Sequence, residues 1–264
     1  MLMNYDESIR ACQHIDGWKF VTSFSVGGFE WLGMELMINA DRCADISRLS
    51  LDGKNLSYTS VVGNVAPDYF SIYSDGFGFL KSFNCGFITT CGFDNIGNPN
   101  EDEGTLYGLH GNVGNIPAEY IYHTEDATSI EVHAIIKDHA IFGKKFTLHR
   151  TYVISKTENT FALHDKIVNE GSAPSPLMYM YHMNIGYPLL TENSEFYINS
   201  YEVVPRDEEA KGYARLVEKG KMTQEKVDAI LASITPGLKE NLCADCDLIV
   251  EAAFEDMGVK KTTM

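Results

Sequence analysis

Regular alternation of apolar and polar side chains between residues 129 and 184 constrains the fold of this chain most strongly. Four consecutive segments carry the pattern, at residues 129–137, 145–155, 160–169 and 176–184. A period of two residues, rich in aromatic and β-branched side chains, is typical of strands that bury one face. Polar turns separate the segments, so we expect an antiparallel meander of four strands within a sandwich or barrel.

Shorter patterns precede the meander. Strands are predicted at residues 33–39, 47–51 and 87–90, and a short helix at residues 76–83. Asp52 and Gly53 form a dipeptide that is typical of tight turns between strands. These features also favour a mainly β fold.

The composition changes near residue 208, where helical patterns replace strand patterns. We predict two helices and a buried strand there, at residues 208–218, 223–234 and 247–253. The sequence therefore predicts two regions. Residues 1–211 would form a β-sandwich, and residues 212–264 a short α/β tail.

The charge and the hydropathy pattern exclude several classes of partner. A net charge of −16 argues against nucleic acid and against an anionic membrane, because both require clustered Lys and Arg. No apolar run reaches the length of about 18 residues that a spanning helix needs. The first residues lack a secretory signal pattern. We expect a cytoplasmic protein whose cysteines are reduced.

Residues 108–118 form a loop around His110 that contains three glycines and a proline. Such a loop turns tightly and lets another group approach its backbone. His182 ends the fourth predicted strand, where alternation places it on the same face as Asn184. Imidazoles exchange protons near neutral pH. We predict that His110 and His182 face one sugar-sized pocket, with polar groups beside apolar surface.

Structural interpretations of these residues remain open. His110 could bond the backbone of its turn, and His182 could be a hydrogen-bonded core residue. The other strand histidines are expected to be structural or solvated, at positions 133, 139, 149 and 164. Cys243 and Cys246 have the spacing of half a zinc site, but no second pair lies nearby. We expect no metal.

Five stretches in order along residues 20–211 carry a family likeness, namely 41–46, 85–92, the His110 loop, 182–190 and 204–207. They resemble the galactose-mutarotase-like superfamily, and more closely its aldose-1-epimerase-like branch. The resemblance implies an antiparallel β-supersandwich that binds a sugar in a groove on one sheet. It also implies a small-molecule sugar as partner, and no cofactor.

The resemblance further implies a mechanism. In mutarotases, a glutamate takes the proton of the anomeric hydroxyl while a histidine protonates the ring oxygen, so the ring opens and can close on either face. His182 is similar to that acid, and His110 to the companion histidine that holds the substrate. The resemblance gives Arg42, Asn112 and Asn184 as further substrate contacts.

The last part of the chain resembles a different family. Residues 214–223 and 244–255 are similar to an internal piece of the NAD-binding domain of 3-hydroxyacyl-CoA dehydrogenases. The glycine-rich turn that cradles a pyrophosphate is absent from the sequence, so NAD binding is not expected. We therefore expect a C-terminally truncated sandwich that lacks the glutamate and is joined to a dehydrogenase fragment, a possible chimera.

Three functions are consistent with this sequence. The first is an aldose 1-epimerase-like isomerase that interconverts sugar anomers. The second is a carbohydrate-binding protein without catalysis, and the third is an inactive chimeric fragment. Anomer exchange separates the first from the other two, and sugar binding separates the second from the third.

Overall fold

The computed structural model describes residues 20–22, 33–67, 75–83, 85–198, 220, 223–232 and 234–236. The chain divides into two compact units, Met1–Leu190 and Thr191–Met264. The described residues are mainly β, with mostly antiparallel sheets. The predicted boundary between residues 211 and 212 stays a prediction.

The first sheet contains four antiparallel strands in the order β1-β2-β3-β4. Their bounds are Phe20–Thr22 for β1, Met34–Asn39 for β2, Asp45–Leu51 for β3 and Lys54–Asn55 for β4. Asp52 and Gly53 make the tight turn between β3 and β4 with φ values of 50° and 73°. The strands and the turn predicted for residues 33–53 are thus confirmed.

A short helix and a buried strand follow. Helix α1 covers Phe79–Ser82, and strand β5 covers Ile88–Phe93. Every residue of β5 is buried, so protein covers both of its faces. A small hairpin of β6, Asn100–Asp102, and β7, Thr105–Tyr107, follows at the surface.

The second large sheet contains four antiparallel strands in the order β11-β10-β9-β8. Their bounds are Ala118–Glu125 for β8, Ser129–His139 for β9, Lys145–Ser155 for β10 and Phe161–Asn169 for β11. Alternate residues of β9 and β10 are buried, among them Val132, Ile136, Leu148 and Tyr152. Three strands of the predicted meander are confirmed, and β8 was not predicted.

The fourth predicted strand does not continue the meander. Strand β12, Met178–Met183, pairs antiparallel with β5 and places His182 opposite Thr89. Pro174 and Pro176 lie between β11 and β12. Proline has no backbone N–H and interrupts strand pairing, so the chain leaves the second sheet before β12 begins.

A buried network of charged groups joins the strands around Arg150 of β10. The Arg150 guanidinium contacts Asp165 of β11 through two N–H groups, at 3.0 and 2.8 Å. It also contacts Asp45 of β3 at 2.6 Å, the Thr90 hydroxyl at 2.7 Å and the Tyr179 hydroxyl at 3.0 Å. Sequence reasoning missed this network because Arg150 interrupts an otherwise apolar strand face.

The unit Thr191–Met264 contains strand β13, Phe196–Ile198, parallel to β14, Ile234–Pro236. Helix α2 covers Gln224–Ala232. The Thr223 hydroxyl accepts a hydrogen bond of 3.3 Å from the Lys226 N–H, as expected of an N-cap. The predicted second helix is thus confirmed. The helix predicted at 208–218 and the strand predicted at 247–253 lie outside the described residues.

Candidate functional site

The fold brings His110 and His182 together. His110 lies in the glycine-rich loop between β7 and β8, and His182 lies in β12. Their ring centroids are 5.4 Å apart, and the rings meet edge to face at 75°. Both residues are half-buried, so neither is sealed from solvent.

The glycines of the His110 loop let it lie directly against β5. His110 has a φ of 59° and Gly111 a φ of 72°, and the Gly92 N–H donates to the His110 carbonyl oxygen at 2.9 Å. A Cβ on Gly111 would lie 2.4 Å from the Gly92 carbonyl oxygen, and one on Gly114 would lie 2.6 Å from that of Thr90. The group that approaches this backbone is therefore another strand.

The Nδ1 atom of His110 lies 2.9 Å from the Ile96 carbonyl oxygen. A carbonyl can only accept a hydrogen bond, so Nδ1 carries the proton and the neutral ring keeps a lone pair on Nε2. Burial lowers the pKa of His110 below its usual 6.5, and the neighbouring His182 lowers it further, while the Ile96 carbonyl opposes both effects. His110 is therefore neutral at pH 7.

His182 is held by Asn184, two residues further along the chain. The Nδ1 atom of His182 lies 2.7 Å from Oδ1 of Asn184. Within the described part of the chain, neither His110 nor His182 has a hydrogen-bond partner at Nε2. Both Nε2 atoms are therefore without a hydrogen-bond partner among the described residues.

Two phenylalanines of the α1 region complete a cluster of four rings. Phe79 lies 4.6 Å from Phe83 and 4.9 Å from His110, measured between ring centroids. Phe83 lies 5.1 Å from His182. We call Phe79, Phe83, His110 and His182 the four-ring cluster. The sequence did not single out these two phenylalanines, although residues 77–83 contain three.

Arg42 lies behind the loop and does not face the surface. The residue is 1% exposed. Its guanidinium donates hydrogen bonds of 2.8 Å to the carbonyl oxygens of Gly114, Val65 and Ser82. Burial lowers the pKa of Arg42 to about 10, which leaves it charged at pH 7. The geometry gives Arg42 a structural role, and its predicted contact with substrate stays a prediction.

The side-chain amides of Asn184 and Asn112, the other two predicted substrate contacts, differ in burial and in their hydrogen bonds. Asn184 is 8% exposed, and its Nδ2 group donates to the carbonyl oxygens of Cys85 at 3.2 Å and His182 at 2.9 Å. Asn112 is half-buried and precedes the 3₁₀ turn Val113–Asn115, where its side chain makes no capping hydrogen bond. Of the two amides, that of Asn112 is the more available to a ligand.

Other features of the described residues bear on the expected chemistry. No group of three or more His, Cys, Asp or Glu side chains in these ranges could hold a metal ion. No helix in the described ranges is long and apolar enough to cross a membrane. Cys43, Cys85 and Cys91 are free and buried, as expected for packed thiols.

Among solved structures, the chain is similar to the crystal structure of a putative aldose 1-epimerase from Klebsiella pneumoniae subsp. pneumoniae MGH 78578. The two sequences are 26% identical, the TM-score is 0.63, and the match covers 72% of this chain and 50% of that chain. This chain thus spans about half the length of that protein. The likeness confirms the predicted antiparallel β-sandwich of the aldose epimerase kind.

A family model also matches this chain, over residues 27–253. The match runs through the predicted junction at residues 211 and 212, so the comparisons give no support to a dehydrogenase fragment or to a chimera. It covers most of the chain, which therefore belongs to the family described as Domain of unknown function (DUF4432).

Proposed function

We propose that this chain is an aldose 1-epimerase-like isomerase that acts on a small-molecule sugar. The observation that carries the proposal is the pair of adjacent imidazoles, each held through Nδ1 and each with a free Nε2. The likeness to a protein described as a putative aldose 1-epimerase supports the same reaction class.

The chemistry requires two proton transfers at neighbouring atoms. The ring oxygen and the anomeric hydroxyl are bonded to the same carbon, so two adjacent imidazoles suit them. His182, protonated on Nε2, gives its proton to the ring oxygen as the bond between that oxygen and the anomeric carbon breaks. The anomeric hydroxyl loses its proton as the carbonyl forms. Rotation about the next carbon–carbon bond and the reverse steps yield the other anomer.

We assign His110 as the base that receives the hydroxyl proton. Its Nε2 carries a lone pair, and its lowered pKa keeps it neutral at pH 7. No carboxylate among the described residues contacts either imidazole. Acid–base catalysis by a positioned group contributes about 10²–10⁴-fold to a rate, so each histidine should matter on that scale.

Phe79 and Phe83 contribute the apolar part of the site. An apolar surface beside polar groups suits a sugar, which has C–H faces and a rim of hydroxyls. Within the four-ring cluster, Phe79 is buried, whereas Phe83 is half-buried. Phe83 is therefore the ring that a substrate can reach.

The experiment follows anomer exchange of freshly dissolved aldoses by polarimetry and by NMR exchange spectroscopy. Wild type should accelerate exchange with saturation, and His182→Gln and His110→Gln should each lose that acceleration. His164→Gln, which changes an exposed histidine on β11, is the matched control. Absence of exchange in the folded wild type, for a panel of pentoses and hexoses, would sink the proposal.

A carbohydrate-binding protein without catalysis is the second candidate. It is favoured by the absence of a carboxylate at the four-ring cluster within the described residues. Sugar binding by the wild type, measured by calorimetry, without any exchange would select it.

A further inference from the structure

The side-chain amide of Asn184 has only one chemically consistent orientation. One end faces the carbonyl oxygens of Cys85 and His182, at 3.2 and 2.9 Å. Carbonyl oxygens accept and never donate, so the NH₂ group must be at that end. The amide oxygen then faces Nδ1 of His182, at 2.7 Å.

This orientation decides where neutral His182 carries its proton. The amide oxygen cannot donate, so the hydrogen bond forms only if Nδ1 is protonated. The neutral ring then has its lone pair on Nε2. We propose that Asn184 is a positioning residue, which holds His182 in the Nδ1–H tautomer and turns Nε2 toward the ligand.

The backbone around Asn184 keeps the amide in place. The Asn184 N–H donates to the Phe87 carbonyl oxygen, and its carbonyl oxygen accepts from the Tyr58 N–H, both at 2.9 Å. A Cβ on Gly186 would lie 2.2 Å from the Ser57 carbonyl oxygen, so the chain after Asn184 is pressed against its neighbour. Because backbone hydrogen bonds fix Asn184 in place, its buried side-chain amide can hold the His182 ring in one orientation.

His110 reaches the same tautomer by a different route. Its Nδ1 bonds the backbone oxygen of Ile96, which no side-chain substitution removes. When both rings are neutral, the two imidazoles therefore offer two acceptors and no donor. The acid that the proposed function needs arises only when His182 gains a proton on Nε2. This last step rests on the proposed function, whereas the tautomer of His182 does not.

The test reads the tautomers directly. Protein labelled with ¹⁵N-histidine is studied by long-range ¹H–¹⁵N NMR at pH 8.5, and His182→Gln and His110→Gln identify the two signals. We expect both rings to be protonated on Nδ1 in the wild type. A wild-type His182 protonated on Nε2 would overturn the proposal without any variant.

Asn184 variants separate positioning from general stability. In Asn184→Ala, His182 should lose its pure Nδ1–H form, while His110 in the same spectrum keeps it as the internal control. Asn184→Asp retains an acceptor and should keep His182 in the Nδ1–H form, which supplies a second variant if Asn184→Ala does not fold. Unchanged His182 signals in folded Asn184→Ala, or loss of the Nδ1–H form in folded Asn184→Asp, would contradict the assignment.

Turnover adds a separate readout. If the wild type catalyses anomer exchange, Asn184→Ala should lower kcat with little change in KM, and by less than His182→Gln does. If the wild type shows no exchange, the proposed function fails while the NMR result stands by itself.

Discussion

The imidazoles of His110 and His182 meet edge to face with 5.4 Å between their centroids. Each ring also meets the ring of a phenylalanine, Phe79 or Phe83. This packing removes water from one side of each histidine. The pKa of His110 therefore depends on its burial against these rings as well as on the hydrogen bond at its Nδ1.

The first prediction concerns the pH dependence of anomer exchange. Burial and the nearby His182 lower the pKa of His110 below 6.5, and His110 must be neutral to accept a proton. Activity should therefore be lost as the pH falls through a value below 6.5. The acidic limb of kcat/KM against pH measures this value, with His164→Gln as control. A limb centred above pH 6.5 in both proteins would contradict the assignment of His110 as the base.

The second prediction concerns the buried ion pair of Arg150 and Asp165. Burial would by itself raise the pKa of Asp165, but Arg150 and the hydroxyls of Tyr179 and Tyr181 hold it below its usual value. Asp165→Asn removes one of the two carboxylates that contact the buried Arg150 guanidinium, so its charge is less well compensated. The free energy of unfolding in urea should fall by about 3–5 kcal/mol, whereas Asp102→Asn at an exposed hairpin position should change it little.

The same pair predicts a dependence of stability on pH. Because the folded-state pKa of Asp165 is lowered, its contribution is present above the unfolded value of about 3.8 and is lost as the pH falls through the folded value. The difference in unfolding free energy between wild type and Asp165→Asn should therefore be constant near neutral pH and shrink below about pH 4. A difference that grows in acid would contradict this account.

The third prediction concerns Gly111. Gly111→Ala adds a methyl group 2.4 Å from the Gly92 carbonyl oxygen at a φ of +72°. Gly104 has a φ of +77° with nothing within 4 Å of its Cβ position, so Gly104→Ala isolates the conformational cost of about 1–2 kcal/mol. Gly111→Ala should lower the unfolding free energy by more than that. Equal losses in the two variants would show that the loop can move away from β5.

The fourth prediction separates two roles for Arg42. If its three hydrogen bonds to Gly114, Val65 and Ser82 hold the loop, Arg42→Lys should lower the unfolding free energy by about 1–3 kcal/mol or more, because buried carbonyls lose their donors. KM of the folded protein should change little. A large rise in KM without loss of stability would instead establish Arg42 as a substrate contact.

Local patterns made three of the four strands of the second sheet predictable. In β9 and β10 the alternation buries one face of each strand, and this signal needs no knowledge of distant residues. The glycine-rich loop also carried a local signal, which indicated a close approach at Gly111 and Gly114. The sequence did not reveal that the approaching group is the backbone of β5, because that contact joins residues about twenty positions apart.

The sequence did not predict which strand β12 pairs with, or the buried charged network around Arg150. Strand β12 has the same alternation as β10 but pairs with β5. Alternation within a strand does not indicate which other strand it pairs with. Arg150 is an exception within an apolar face, and its partners are distributed over four other strands. Only the assembled core shows that these groups satisfy each other.

The two faces of strand β12 contact different parts of the molecule. On one face, the hydroxyls of Tyr179 and Tyr181 donate to Asp165, and on the other, His182 joins the four-ring cluster. A slip of one residue would exchange these faces and put a tyrosine where the imidazole belongs. The hydrogen bonds from the two tyrosine hydroxyls to Asp165 therefore favour the correct register of β12. In a molecule with β12 shifted by one residue, the four-ring cluster would not form.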